Sequence, residues 1–95
     1  MLDISVEHRL ARAGVPASRD RLGDIVGYLN TMLRRLLGKQ FIRGDLLHGV
    51  YVARFTSEDA ARVAMGWCDF DLCDFRIFSL GSQATLTGHF SGGRP

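Results

Sequence analysis

The sequence predicts a small α+β domain in which two N-terminal helices are followed by a β-α-β-β segment. Three observations predict this order. Apolar residues recur every three or four positions across residues 18–38, three later segments are rich in β-forming residues, and a helix-capping pattern follows the first of them. The strands are expected to form a three-stranded, mainly antiparallel sheet with the helices packed on one face. With 95 residues, 46% of them hydrophobic, the chain is expected to be one domain, residues 1–95, with residues 91–95 as a flexible tail.

Two helices are expected before the first strand. Ser5 can cap a helix that runs to about Ala13, where Gly14 would stop it. The second helix is expected between Ser18, as its N-cap, and Gly38, just after its end. Its apolar residues would form a stripe that faces the core, and they are Leu22, Ile25, Val26, Leu29, Met32, Leu33, Leu36 and Leu37.

A strand and a third helix follow. Residues 46–55 are rich in apolar and β-forming side chains and predict the first strand. Thr56 would cap the next helix, with Asp59 three residues later as its capping-box partner. This helix is expected to bury Ala60, Val63, Ala64 and Trp67.

The end of the chain predicts a hairpin. Residues 75–80 and 84–90 are expected to be antiparallel strands, because Gly81 and Ser82 suit a two-residue turn between them. The β-α-β part of the chain has an alternative arrangement, a right-handed crossover between parallel strands.

The charge is uneven along the chain, although the net charge is only +2. Residues 1–43 hold eight basic and four acidic side chains, whereas residues 44–95 hold four basic and six acidic ones. A basic half can mark a binding surface or an ordinary solvated helical face. No secretory signal or membrane span is visible, so the sequence predicts a cytoplasmic protein of a bacterium, or of an infected host if a phage or another mobile element encodes it.

One connecting segment combines carboxylates with an aromatic ring. We call Asp69, Phe70, Asp71 and Asp74 the acidic patch. Its aspartates could simply face water where the chain enters a strand. In the functional interpretation they receive arginines from a partner protein, which would steer association and fix its register.

Cations cluster around the end of the second predicted helix. We call Arg34, Arg35, Lys39, Phe41 and Arg43 the basic rim, with Phe41 expected to be an exposed aromatic residue. In the structural interpretation, the basic rim is an ordinary solvated face of the protein. The functional one is a nucleic-acid surface, because cations bind the phosphate backbone and an exposed ring can stack on a base.

The two cysteines offer a weak metal motif. Cys68 and Cys73 are separated by four residues, and a structural zinc site would have to recruit His48 and His89 as further ligands. Free, packed thiols are the expected state, with zinc or a redox disulfide as alternatives. The chain is expected to need no metal and no cofactor.

Gly23 and Gly27 lie four residues apart on the second predicted helix. Such spacing lets another backbone approach closely. The expected neighbour is another element of the same chain, and the alternative is a homo-oligomer formed through this helix.

No nucleotide-binding glycine motif and no nucleophile-elbow motif occurs in the sequence, and no catalytic residues are assigned. His89 is expected to be a half-exposed strand residue. The sequence therefore predicts a non-enzymatic binding protein that occupies a surface of a larger protein or complex, of the inhibitor, immunity, anti-CRISPR-like or adaptor type. The alternative is a nucleic-acid-binding module that uses the arginine face of the long helix.

Overall fold

The computed structural model describes residues 10–15, 19–70 and 72–90. They form an α+β fold, as predicted, with one long helix and a sheet of four antiparallel strands rather than three. The helices are α1 (Arg21–Leu37) and α2 (Glu58–Trp67), with short 3-10 turns at Gly38–Gln40 and Cys68–Phe70. The strands are β1 (Phe41–Leu47), β2 (Val50–Phe55), β3 (Leu72–Leu80) and β4 (Gln83–Phe90).

The segment expected to be one strand, residues 46–55, is a hairpin. His48 and Gly49 turn the chain with φ angles of 51° and 80°. Two consecutive positive φ angles are the signature of a type I′ turn, which matches the twist of the flanking strands. The prediction of one strand was wrong because His48 gives no turn signal in an apolar stretch, although its side chain tolerates the left-handed conformation.

The sheet order is β1-β2-β4-β3, and all neighbouring strands are antiparallel. β2 and β3 consequently run in the same direction, but β4 lies between them. The unit β2-α2-β3 is therefore a crossover between parallel strands, as in the alternative arrangement, but with β4 inserted between the two strands. The hairpin of β3 and β4 is confirmed, with Gly81 in its turn at a φ of 63°.

The helices begin at other caps than those predicted. The Asp20 carboxylate accepts a hydrogen bond from the Gly23 amide at 2.9 Å and caps α1, so the helix starts after Asp20 and not after Ser18. Ser57, rather than Thr56, caps α2 by accepting from the Ala60 amide at 3.2 Å. Both are short polar side chains of the kind that satisfy the first amides of a helix.

The chain before α1 is described only from Leu10. Residues 10–12 are helical, and the Gly14 and Val15 amides donate to the carbonyls of Ala11 and Leu10 at 3.1 and 3.0 Å. This pair of bonds is the Schellman motif, which confirms that a helix stops at Gly14, where φ is 77°. The predicted cap Ser5, the cap Ser18 and the tail of residues 91–95 lie outside the described residues.

The core lies between one face of the sheet and the two helices. β2 and β4 alternate strictly, so that every second side chain is buried. The buried residues of α1 and α2 belong to the same cluster, which confirms that the helices cover one face. Val63 was expected to be buried but is half exposed, because Ala61 takes its place on the inner side of α2.

A partly buried hydrogen-bonded network joins α1 to β1 and β2. The Tyr51 hydroxyl donates to Asn30 Oδ1 at 2.6 Å, and Asn30 Nδ2 donates to the Gly44 carbonyl at 2.9 Å. Burial raises the pKa of Tyr51 well above its ordinary value, with smaller contributions from Cys68 and Asp45. The hydroxyl therefore stays protonated and can serve as the donor of this network.

Glu58 makes the free energy of unfolding depend on pH. Its carboxylate accepts hydrogen bonds from Ser79 Oγ at 2.7 Å and from Arg62 Nη2 at 3.1 Å, and these lower the pKa of Glu58. A lowered folded-state pKa stabilises the fold above the unfolded-state pKa of about 4.3, and this contribution is lost as the pH falls through the folded value. We expect Glu58→Gln to lower the free energy of unfolding at pH 7 and to have a smaller effect near pH 3.

Urea unfolding at the two pH values measures this dependence. Asp59→Asn is the matched control, because it removes a carboxylate from the same helical turn without touching Ser79 or Arg62. An equal loss for Glu58→Gln at both pH values would contradict the assigned role of the carboxylate.

Candidate functional site

The acidic patch is only partly described by the structure. Asp69 is exposed in the 3-10 turn after α2, and Asp74 is exposed in β3. The backbone of Phe70 belongs to the same turn as Asp69, and Asp71 lies outside the described residues. Asp74 has a φ of 56° and sits at an irregularity of the β3–β4 register between Cys73 and Arg76. The bulge turns its side chain out of the regular alternation of the strand.

Asp74 already has neighbours within the chain. Its Oδ2 lies 4.0 Å from His89 Nδ1 and 3.8 Å from Cys73 Sγ, and Cys73 and His89 are directly opposite on β3 and β4. His89 is exposed on its strand, in line with the half-exposed position that was expected. The carboxylate is thus partly engaged with a side chain of its own protein whenever His89 carries a proton.

Cys68 and Cys73 are not joined by a disulfide. Cys68 is fully buried at the end of α2, whereas Cys73 is half-buried on β3. In residues 10–15, 19–70 and 72–90, no three His, Cys, Asp or Glu side chains are grouped so that they could hold a metal ion.

The basic rim does not present an exposed ring. Phe41 is the first residue of β1 and is only 1% exposed, so the prediction of an exposed aromatic residue is wrong. The Arg34 guanidinium carbon lies 5.0 Å from the centre of the Phe41 ring, and Arg34 Nη2 donates to the Ile42 carbonyl at 3.4 Å. Arg34 therefore stabilises the core from outside, by a cation–π contact, while Arg35 and Lys39 remain exposed.

The acidic patch and the basic rim lie on different parts of the sheet. Phe41 belongs to β1 and Asp74 to β3, which are the two edge strands. Phe41 lies opposite Phe55, at one end of β2. Cys73, next to Asp74, lies opposite His89, and His89 lies opposite Val50 at the other end of β2. These two ends are roughly 17 Å apart along the strand direction. A single small ligand surface cannot include both.

The glycines of α1 border a groove rather than a tight contact. A Cβ at Gly27 would meet no atom within 4 Å, and a Cβ at Gly23 would meet the carboxylate of its own cap, Asp20. Among the described residues, no other element lies within 4 Å of a Cβ at Gly27, so they do not show the close approach that was expected there. The groove has a volume of about 610 Å³ and is also lined by Val15 and Tyr28.

One face of the sheet is covered by no described helix, and the sequence did not predict it. We call it the open face, and register and alternation assign fourteen side chains to it. They are Arg43, Asp45, Leu47, Val50, Val52, Arg54, Cys73, Arg76, Phe78, Leu80, Gln83, Thr85, Thr87 and His89.

Apolar side chains are prominent on the open face. Leu47 is 53% exposed, Phe78 57% and Leu80 88%. Phe78 and Leu80 are the most exposed large hydrophobic residues in the part of the chain that the structure describes. The alternation of Arg76, Phe78 and Leu80 with residues 77 and 79 was a usable signal, but only the strand order shows which set faces away from the helices.

The arginines of the open face differ in their partners. Arg43 forms a two-pronged ion pair with Asp45, with Nε–Oδ2 at 2.9 Å and Nη2–Oδ1 at 3.2 Å. Arg54 Nη2 donates to the neutral Gln83 Oε1 at 3.0 Å. Within the described ranges, neither Arg54 nor Arg76 has a carboxylate partner. The face therefore carries two arginines whose charge is available to a ligand.

Arg43 and Arg54 are directly opposite each other across β1 and β2. Like charges in such cross-strand positions repel and destabilise the sheet by a few tenths of a kcal/mol, up to about 1 kcal/mol. The same row of cross-strand neighbours continues from Arg54 to Thr85 on β4 and Phe78 on β3. An anionic group bound over this row would relieve the repulsion.

Comparison with known proteins found no family model, no curated protein sequence and no solved structure that matches the chain. Neither described helix is both long and apolar enough to cross a membrane.

Proposed function

We propose that the protein is a non-enzymatic binding protein that occupies a surface of a larger protein or complex, and that it does so with the open face. The single observation that carries this proposal is the exposure of Phe78 and Leu80 on the same face of the sheet as Arg54 and Arg76. The class proposed is an inhibitor, an immunity or anti-CRISPR-like protein, or an adaptor.

The composition of the open face supports a protein partner. Interface centres are enriched in aromatic residues and arginine and depleted in lysine and glutamate. The open face has three arginines and one phenylalanine but contains no lysine and no glutamate. A rigid sheet also loses little conformational freedom on binding.

The charge of the open face indicates which chemical groups a complementary partner surface would carry. Asp45 is engaged with Arg43, so the remaining positive charge comes from Arg54 and Arg76. The matching surface presents apolar side chains for Phe78 and Leu80 and carboxylates at its border. Carboxylates can bind the planar guanidinium group with two hydrogen bonds.

Charge reversal on two surfaces tests the proposal. Arg54→Glu/Arg76→Glu changes the open face by four charges, and Arg35→Glu/Lys39→Glu makes the same change on the basic rim. A partner captured from nuclease-treated lysate would be identified, purified and titrated by calorimetry with both variants. We expect the open-face variant to weaken binding at least tenfold, which is about 1.4 kcal/mol, and the rim variant to bind as the unmodified protein does.

The same experiment tests the acidic patch with the variant Asp69→Lys/Asp74→Lys, which also changes the charge by four. Loss of binding in this variant alone would overturn the open face as the binding surface. It would support instead the sequence-based interpretation that the aspartates receive arginines from the partner.

Nucleic acid is the second candidate, and the opposed arginines Arg43 and Arg54 favour it. A phosphate could bridge them, and Phe78 in the same row could stack on a base. In that case labelled single-stranded RNA or DNA would bind the purified chain, and the affinity would fall steeply with salt concentration. Absence of binding at low salt would exclude this candidate.

A further inference from the structure

We propose that the free edge of β3 pairs with the same edge of a second copy of this chain, so that two four-stranded sheets join into one antiparallel sheet of eight strands. This dimer does not depend on the proposed partner. It follows from the position, the exposure and the sequence of a single strand segment, residues 76–80.

The position of β3 leaves one of its sides unpaired. β3 is an outer strand of the order β1-β2-β4-β3, and an outer strand directs a row of amide and carbonyl groups away from the sheet. Within the described residues, no strand lies on its outer side. The two most exposed apolar side chains of this part of the chain, Phe78 and Leu80, project from the same strand.

The two edges of the sheet are protected differently. β1 has a bulge between Phe41 and Arg43, followed by the ion pair of Arg43 and Asp45. Bulges and charges of this kind keep edge strands from pairing. In β3 the irregularity ends at Arg76, and from there to Leu80 the register with β4 is continuous, with neither proline nor lysine in the segment.

The segment Arg76–Leu80 is complementary to itself in the antiparallel direction. With a two-fold axis at Phe78, the two Phe78 rings become cross-strand neighbours on the open face. Arg76 of each copy then lies opposite Leu80 of the other, and Ile77 lies opposite Ser79. No like charges meet, and the aromatic pair adds to the contact, as cross-strand aromatic pairs do. Such a contact closes with two-fold symmetry.

The paired strands would extend the open face without covering it. Side chains on that face point away from the helices in both copies, so the arginines of both open faces share one continuous surface. Five residues on each side bury less than the 1,200–2,000 Å² of a standard interface, and we therefore expect a weak dimer in exchange with the monomer.

Sedimentation equilibrium of the purified chain over a wide range of concentrations tests the inference. We expect a monomer–dimer equilibrium, and we expect Phe78→Lys and Phe78→Glu each to weaken it at least tenfold, because like charges then meet at the two-fold axis. An equimolar mixture of the two variants should dimerise again, since opposite charges then meet. Circular dichroism of each variant shows whether the exposed substitution has left the fold intact.

Leu47→Lys is the matched control, because it places the same charge on an exposed apolar position of the other edge strand. It should leave the equilibrium unchanged. A chain that stays monomeric at every concentration overturns the inference. A dimer that survives Phe78→Lys but is lost in Gly27→Leu also overturns it, in favour of association through α1. Arg54 lies on β2, outside residues 76–80, so the effect of Arg54→Glu alone on partner binding is measured independently of the dimer, and either proposal can fail without the other.

Discussion

Phe41→Ala is expected to destabilise the protein by about 3–5 kcal/mol, the usual cost of truncating a buried phenylalanine. Phe41 is almost completely buried, its ring lies 5.7 Å from that of Phe55, and Arg34 lies over its face. The substitution removes all of these contacts and leaves a cavity at the start of β1. Since small domains are stable by about 5–15 kcal/mol, a large fraction of the folded-state stability should be lost, as urea unfolding would measure.

Phe78→Ala is the control for this experiment, because it removes the same ring from an exposed position. It should change the stability by less than about 1 kcal/mol. Phe41→Leu, which keeps most of the volume, should cost less than about 1.5 kcal/mol and keeps the result measurable if the alanine variant does not fold. Normal stability of Phe41→Ala would mean that the ring is not part of the core.

Gly44→Ala is the second substitution with a large expected effect. A Cβ at this position would overlap Asn30 Oδ1 and the Tyr51 hydroxyl, and would lie 2.9 Å from Tyr51 Cζ. Either the network of Asn30 and Tyr51 breaks or β1 moves away from α1. Overpacking and a broken buried hydrogen bond together cost about 2–5 kcal/mol, which thermal or urea unfolding would detect.

Gly27→Ala provides the opposite result in the same protein. A Cβ at Gly27 meets no neighbour within 4 Å, and alanine is a better helix former than glycine by about 1 kcal/mol. This variant should therefore be slightly more stable than the unmodified chain. If Gly44→Ala and Gly27→Ala had equal effects, the close approach of α1 to β1 would be refuted.

Local patterns predicted the elements whose ends and faces depend on nearby residues. The spacing of Ile25, Leu29 and Leu33 identified the buried face of α1, since a helix repeats every 3.6 residues. Gly38 and Gly81 marked a helix end and a turn correctly, because both need positive φ angles that glycine adopts easily.

The sequence did not predict features that depend on the pairing of strands far apart in the chain. Phe41 follows the polar residues Lys39 and Gln40 and looked like part of a loop, but its register with Phe55 places it in the sheet. The open face could not be predicted either, because the side of the sheet to which Phe78 points follows from the pairing of β3 with β4 and of β4 with β2. The distance between the acidic patch and the basic rim is a consequence of the same strand order.

The central place of β4 also affects the protein while it is being synthesised. β2 and β3 are synthesised before β4, yet β4 is the second neighbour of β2 and the only neighbour of β3 among the described strands. Until residues 83–90 are added, the strands of the sheet are limited to the β1–β2 hairpin and an unpaired β3, and unpaired strand edges make incomplete folds prone to aggregation. A product that stops short of β4 therefore cannot complete the sheet.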